Sequence, residues 1–194
     1  MPEARRFCRF RSDADAGRGT IPLPNDGFCL SAFVLVRPVS DPTKVLVGQV
    51  GRSGDWGRVG GIDPARLERI GADWMLPASH LLLFESPDEA ARRIAREQLG
   101  GEVPGMMGPL VVSDPYRREG GASLDPHWDI HFIYEGTLPA APRAPEGLWD
   151  RLAFIDPGRA PPPAFARGHG DILEFARAAR SRPVSGGRGE ARPA

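Results

Sequence analysis

Two hydrophobic periods alternate along the chain. CLSAFVLVRPV (29–39) and KVLVGQV (44–50) are rich in β-branched and apolar residues, and the intervening SDPT is a turn signal, so the pair predicts a β-hairpin. DPARLERIGA (63–72) predicts a short helix with Asp63 as N-cap and Pro64 at its first position. WMLPASHLLLF (74–84) is extended and apolar, and the period then changes to helical over 86–100. MMGPLVVSDPY (106–116) and HWDIHFIYEGTL (127–138) predict two more strands, and LWDRLAFID (148–156) a strand or helix edge. After the break APPPAF, GDILEFARAAR (170–180) predicts a terminal helix. Without regular βαβ spacing, the alternation predicts an α+β sandwich over a doubly wound sheet. The polar segment 1–20 and the Gly/Arg/Pro-rich tail 179–194 have the composition of disordered ends, which leaves one domain over 21–178.

The segment ESPDEAARRIAREQLGG (85–101) is the most strongly punctuated. Ser86, Pro87 and Glu89 supply an N-cap, a proline at N1 and a capping-box acid, and Gly100 supplies the stop. On a helical wheel Ala91, Ala95 and Leu99 form the face expected to pack on a sheet. Arg92, Arg93 and Arg96 lie on the far side. Ala90, Ile94, Glu97 and Gln98 form a third face, expected to be available for chemistry.

Composition narrows the classes. The 194 residues hold 25 basic and 25 acidic side chains and are 41% hydrophobic, so a packed core is expected and a basic nucleic-acid surface is not. Cys8 and Cys29 have no metal-ligand spacing, which fits a reducing cytosol. No apolar run approaches the roughly 20 residues that span a bilayer. The expectation is a soluble, cytoplasmic protein.

The residues Leu76-Pro77, Glu85, Arg93, Glu97 and Gly100, with the β-runs before them and His127-Trp128-Asp129 after, resemble the Nudix hydrolase superfamily. The family box reads G-x5-E-x7-R-E-U-x-E-E-x-G-U, with U a bulky apolar residue. Setting Glu85 on its first Glu places Arg93 on the Arg, Glu97 on the second-to-last Glu and Gly100 on the final Gly. Ser79 stands at the opening Gly, Ile94 and Gln98 at two of the three helix acids, and Gly101 at the closing apolar position. The resemblance implies a Nudix-type α/β/α sandwich with a mixed sheet. It implies hydrolysis of a nucleoside diphosphate-linked substrate with Mg²⁺ or Mn²⁺, hard cations that need anionic oxygens. It also implies that Glu97 is the remaining metal ligand, and that Glu85 and Arg93 organise the loop ahead of the helix. With two acids missing, the expectation is a weakened hydrolase. The alternative is a non-catalytic module that binds a nucleotide-like ligand, or a protein through the apolar segment 81–84 and so a homodimer.

Other residues are candidates on their own pattern. Asp129 and His131 share one face of a strand and could line a pocket; Asp129 and Glu135 are candidates for a replacement ligand or base. GRSGDWGRVGG (51–61) lacks phosphate-loop spacing and reads as a loop at a pocket mouth, with Trp56 a candidate to stack on a base. His80 interrupts an apolar run and reads as a structural histidine.

Overall fold

The computed structural model describes residues 28–62, 64–116, 127–158, 165–166 and 169–181. Its spine is strand β1 (Phe28–Pro38), which pairs in parallel along its whole length with β6 (His127–Leu138). β4 (Ala78–His80) lies antiparallel on the other side of β1, and β5 (Met107–Tyr116) closes the sheet beyond β6, giving the order β4-β1-β6-β5. A second, antiparallel sheet runs β3 (Trp74–Met75), β2 (Val45–Val50), β7 (Trp149–Ile155). The remaining elements are α1 (Trp56–Val59), α2 (Pro64–Ile70), α3 (Pro87–Leu99) and α4 (His169–Ser181).

Alternation along β1 assigns the two faces of the mixed sheet. Ala32, Val34 and Val36 point into a core shared with α3, and Phe33 and Leu35 into a core shared with Ile172, Leu173 and Ala176 of α4. Both faces are covered, which is why the centre of β1, Ala32 to Val36, reads as an unbroken apolar run. The result is the helix–sheet–helix sandwich expected from the resemblance. A third core gathers Trp56, Val59, Ile70, Met75 and Trp149 beneath α1 and α2.

The hairpin expectation is not met. β1 and β2 follow each other through a turn but pair in different sheets, β1 with β4 and β6, β2 with β3 and β7. Turn chemistry fixes the reversal; it does not fix the hydrogen-bond partner, which comes here from distant segments. The segment 148–156 is a strand over Trp149–Ile155. The proposed N-cap Asp63, the segment 1–20 and most of the tail 179–194 lie outside the described residues, while Ala179–Ser181 belong to α4. Among the described residues, no helix is long and apolar enough to cross a membrane.

Candidate functional site

The ends of α3 are built as the sequence spells them. Ser86 accepts from the Glu89 amide while the Glu89 carboxylate accepts from the Ser86 amide at 2.8 Å, a reciprocal capping box with Pro87 at N1. Gly100 ends the helix in the left-handed region at φ 77°, and a Cβ there would lie 2.6 Å from the Arg143 carbonyl oxygen, so only glycine fits. On the sheet side, Tyr134 of β6 donates its hydroxyl to Asp88 in the first turn.

The loop before α3 is held by one ion pair. Arg93 Nε and Nη2 donate to Glu85 Oε1 and Oε2 at 2.7 and 2.9 Å, a two-pronged pair. Its Nη2 also donates to the His80 carbonyl at 2.9 Å, and Glu85 Oε2 accepts from the Leu82 amide at 2.8 Å. Burial alone would raise the Glu85 carboxyl, but the hydrogen bonds from Arg93 and Leu82 outweigh it and hold it below the ordinary carboxylate range. The hydrogen bond to Glu85 in turn raises the Arg93 guanidinium above its ordinary value. The loop so fixed presents Leu82, Leu83 and Phe84 to solvent, with Phe84 96% exposed and in the left-handed region at φ 67°.

Three of the four residues of the third face of α3, Ala90, Ile94 and Gln98, are buried, and only Glu97 is partly exposed. Ile94 and Gln98 are both 0% exposed. Ile94 packs among Ala32, Val34, Leu46 and Leu99, where full burial of such a side chain is worth about 1.5–3 kcal/mol. Gln98 makes three hydrogen bonds: Oε1 accepts from the Ala78 amide at 3.1 Å, and Nε2 donates to Ala78 O at 2.8 Å and to Val59 O at 3.1 Å. Its amide therefore joins β4 and α1 to α3. The backbone carbonyl of Gln98 also accepts from Trp149 Nε1 at 2.8 Å. The wheel assumed one covered face, whereas α3 is covered by the sheet on one side and by α1, β4 and Trp149 on another.

Only Glu97 remains of the three helix acids, and guanidinium groups meet both of its oxygens. Arg58 Nη1 of α1 lies 3.2 Å from Oε1, and Arg93 Nη1 lies 3.5 Å from Oε2. Arg58 is itself held by Asp55 at 3.6 Å. The divalent cation that the family resemblance implies does not fit this donor set. Ile94 has no oxygen, the Gln98 oxygen is committed to a backbone amide, and Glu97 already faces two cations. Among the described residues no three His, Cys, Asp or Glu side chains converge as a metal site would need.

The candidates on β6 lie elsewhere. In β6, Phe132 and Tyr134 join the core on α3, whereas Ile133 joins the core on α4. Alternation therefore sends Asp129, His131 and Glu135 to the α4 side, away from Glu97. Glu135 is engaged there by Arg180 of α4, at 2.6 Å. His131 is buried with its ring edge-on to Phe33 at 5.2 Å. The base-stacking role for Trp56 is likewise overturned. Trp56 is wholly buried, donates Nε1 to Leu148 O at 2.9 Å, and packs edge-on against Trp149 at 4.6 Å.

What the α4 side does contain is a shallow cavity. Ser31 and Phe33 of β1, Ser79 and His80 of β4, Arg66 of α2 and His169 of α4 line it. His169 is buried with its ring against Phe33 at 5.4 Å, and its Nδ1 accepts from the Leu76 amide at 3.0 Å. Burial pushes its pKa down to about 3, helped by the positive charge of Arg66, so the ring is neutral. The sequence reading missed Arg58, Arg66 and His169. Arg66 sat on a correctly placed helix and His169 just after a break, and neither position carried a local signal.

Comparison with known proteins agrees with this fold. No protein-family model matches the chain, and no curated protein sequence does. Solved structures do. A MutT NUDIX hydrolase from Burkholderia pseudomallei is similar over 76% of this chain and 96% of its own, at 15% identity and a TM-score of 0.51. The NUDIX domain of Shewanella oneidensis NrtR, complexed with ADP ribose, is similar over 80% and 90%, at 16% identity and TM-score 0.55. The E. coli dihydroneopterin triphosphate pyrophosphohydrolase is similar over 75% and 92%, at 14% identity and TM-score 0.50. At these identities the likeness establishes the fold.

Proposed function

We propose that this chain, whose fold is that of the Nudix hydrolases, is a domain that binds a small nucleotide-like molecule without metal-dependent hydrolysis. The observation that carries the reading is the Gln98 amide, buried and fully hydrogen-bonded on the face where a second acid would hold a cation. Ile94 beside it is part of the core, and the α4 side keeps a lined cavity. The balanced charge gives no support to a nucleic-acid partner, and the cysteine usage is in keeping with a cytoplasmic setting.

A weakened hydrolase is the second reading, favoured by Glu97, whose side chain is 28% exposed. Because the Shewanella domain is complexed with ADP ribose, that compound is a natural first probe. The test is thermal melting with ADP-ribose and other nucleoside diphosphate-linked compounds, in EDTA and in Mg²⁺ or Mn²⁺, with the products analysed. Ligand-dependent stabilisation without turnover supports the binding reading. Metal-dependent turnover that vanishes in Glu97→Gln supports the hydrolase. Neither effect, together with a stable dimer, would overturn both in favour of an interaction role for the exposed Leu82, Leu83 and Phe84.

A further inference from the structure

A divalent cation does not fit at Glu97, and a side chain of another element stands against that carboxylate instead. Two successive residues of α3 reach two successive residues of α1. Arg58 Nη1 donates to Glu97 Oε1 at 3.2 Å, and Gln98 Nε2 donates to Val59 O at 3.1 Å. The guanidinium is aimed from its own helix: Asp55 Oδ1 accepts from the Arg58 amide at 3.1 Å, and Asp55 Oδ2 lies 3.6 Å from Arg58 Nε. Trp56, wholly buried and bonded to Leu148 O, anchors α1 in the core. On the other side, Arg93 Nη1 lies 3.5 Å from Glu97 Oε2, and Arg93 Nε lies 2.7 Å from Glu85 Oε1. Acids and bases therefore alternate in one series, Glu85, Arg93, Glu97, Arg58 and Asp55, with Glu97 at its centre.

We infer that Arg58 takes the place of the divalent cation at Glu97, as a tethered counter-charge that fastens α1 to α3. A divalent ion arriving from solution would have to displace a guanidinium that cannot diffuse away, and would meet the positive charge of Arg93 as well. The replacement of two acids by Ile94 and Gln98 is thus one barrier to metal on this helix. The second is a charge supplied by α1. Glu97 serves here as a fastening for α1 rather than as a metal ligand. The inference is independent of the nucleotide-binding reading, since it concerns contacts within the chain alone.

Hydrogen exchange and Mn²⁺ titration, both read amide by amide by NMR on the full chain, test this. The Arg58 side chain is 64% exposed, so its replacement leaves the core intact. The Val59 and Gly60 amides donate within α1, to Asp55 O and Trp56 O, and report its opening. Glu97→Gln and Arg58→Gln should each speed their exchange by about two- to fivefold, the range of a partly exposed ion pair, and the double variant by no more than either alone. In Arg58→Gln, Mn²⁺ should broaden the Glu97 and Gln98 amides at concentrations about tenfold or more below those that act on wild type. That gain should vanish when Glu97→Gln is added. A double variant whose effect is the product of the two single effects would overturn the counter-charge, and so would an Arg58→Gln protein no more sensitive to Mn²⁺ than wild type.

Discussion

The side chain of Gln98 and the backbone of Ala78 form a reciprocal amide pair: Ala78 N–H donates to Gln98 Oε1 at 3.1 Å, and Gln98 Nε2 donates to Ala78 O at 2.8 Å. One glutamine thus acts as an extra rung beside β4, with a third bond to Val59 O fixing α1. A carboxylate could accept the Ala78 amide but could not donate to either carbonyl.

Gln98→Glu should therefore destabilise the fold and create no metal site. Burying an unpaired charge and two unsatisfied carbonyls should cost about 3 kcal/mol or more at pH 7. The introduced acid would have a folded pKa above its unfolded value near 4.3. The variant should therefore approach wild type as pH falls toward 5 and worsen as pH rises. Urea unfolding at the two pH values checks this; a variant as stable as wild type at pH 7 would show that the amide is not a strut. Adding Ile94→Glu should compound the loss.

Arg93 and Glu85 are 12% and 11% exposed, so removing one partner strands the other. Arg93→Ala should cost about 3 kcal/mol, and Arg93→Lys, which keeps charge but not the fork, about 1–2 kcal/mol. Chemical denaturation gives both values. Since the Glu85 carboxyl is depressed in the folded state, its contribution is complete above pH ~4.3 and lost as pH falls below that.

His169 acts in a higher window. Its pKa of about 3 in the fold lies below the unfolded value near 6.5, so acid favours the unfolded chain. Stability from this group is complete above pH 6.5 and is lost as pH falls toward 3; between pH 7.5 and 5 the loss should be about 2 kcal/mol. Unfolding free energies of wild type and His169→Gln across that range should differ in slope. Parallel curves would mean that the ring is not held neutral.

Trp56 should matter for folding alone. Trp56→Phe removes the bond to Leu148 O and part of the ring packed on Trp149, at about 1–2 kcal/mol. Ligand affinity should be unchanged, measured by titration well below the melting temperature. A base-stacking tryptophan would instead lower affinity.

The contrast between α3 and its surroundings explains what the sequence could tell. Ser86, Pro87, Glu89 and Gly100 act on their own backbone, so their spacing declared the helix and its ends. Glu85 and Arg93 were legible through a family spacing, and the structure pairs them. Long-range facts were not legible. Whether β2 joins β1 or β7, and whether Gln98 meets solvent or Val59, depends on segments tens of residues away. Trp56, in a glycine-rich stretch, read as a loop side chain, yet it opens a four-residue helix and its ring enters the core. Asp129 and His131 were legible as neighbours on one strand face, but which helix that face meets is set by the order of the sheet.

The most direct measurement is product formation from a panel of nucleoside diphosphate-linked compounds in Mg²⁺ or Mn²⁺, with wild type beside Glu97→Gln. No metal-dependent turnover above background is expected in either protein, because Glu97 is tied to Arg58 and Arg93 and the other two acid positions of the helix hold Ile94 and Gln98. Turnover that requires the metal and disappears in Glu97→Gln would contradict this expectation.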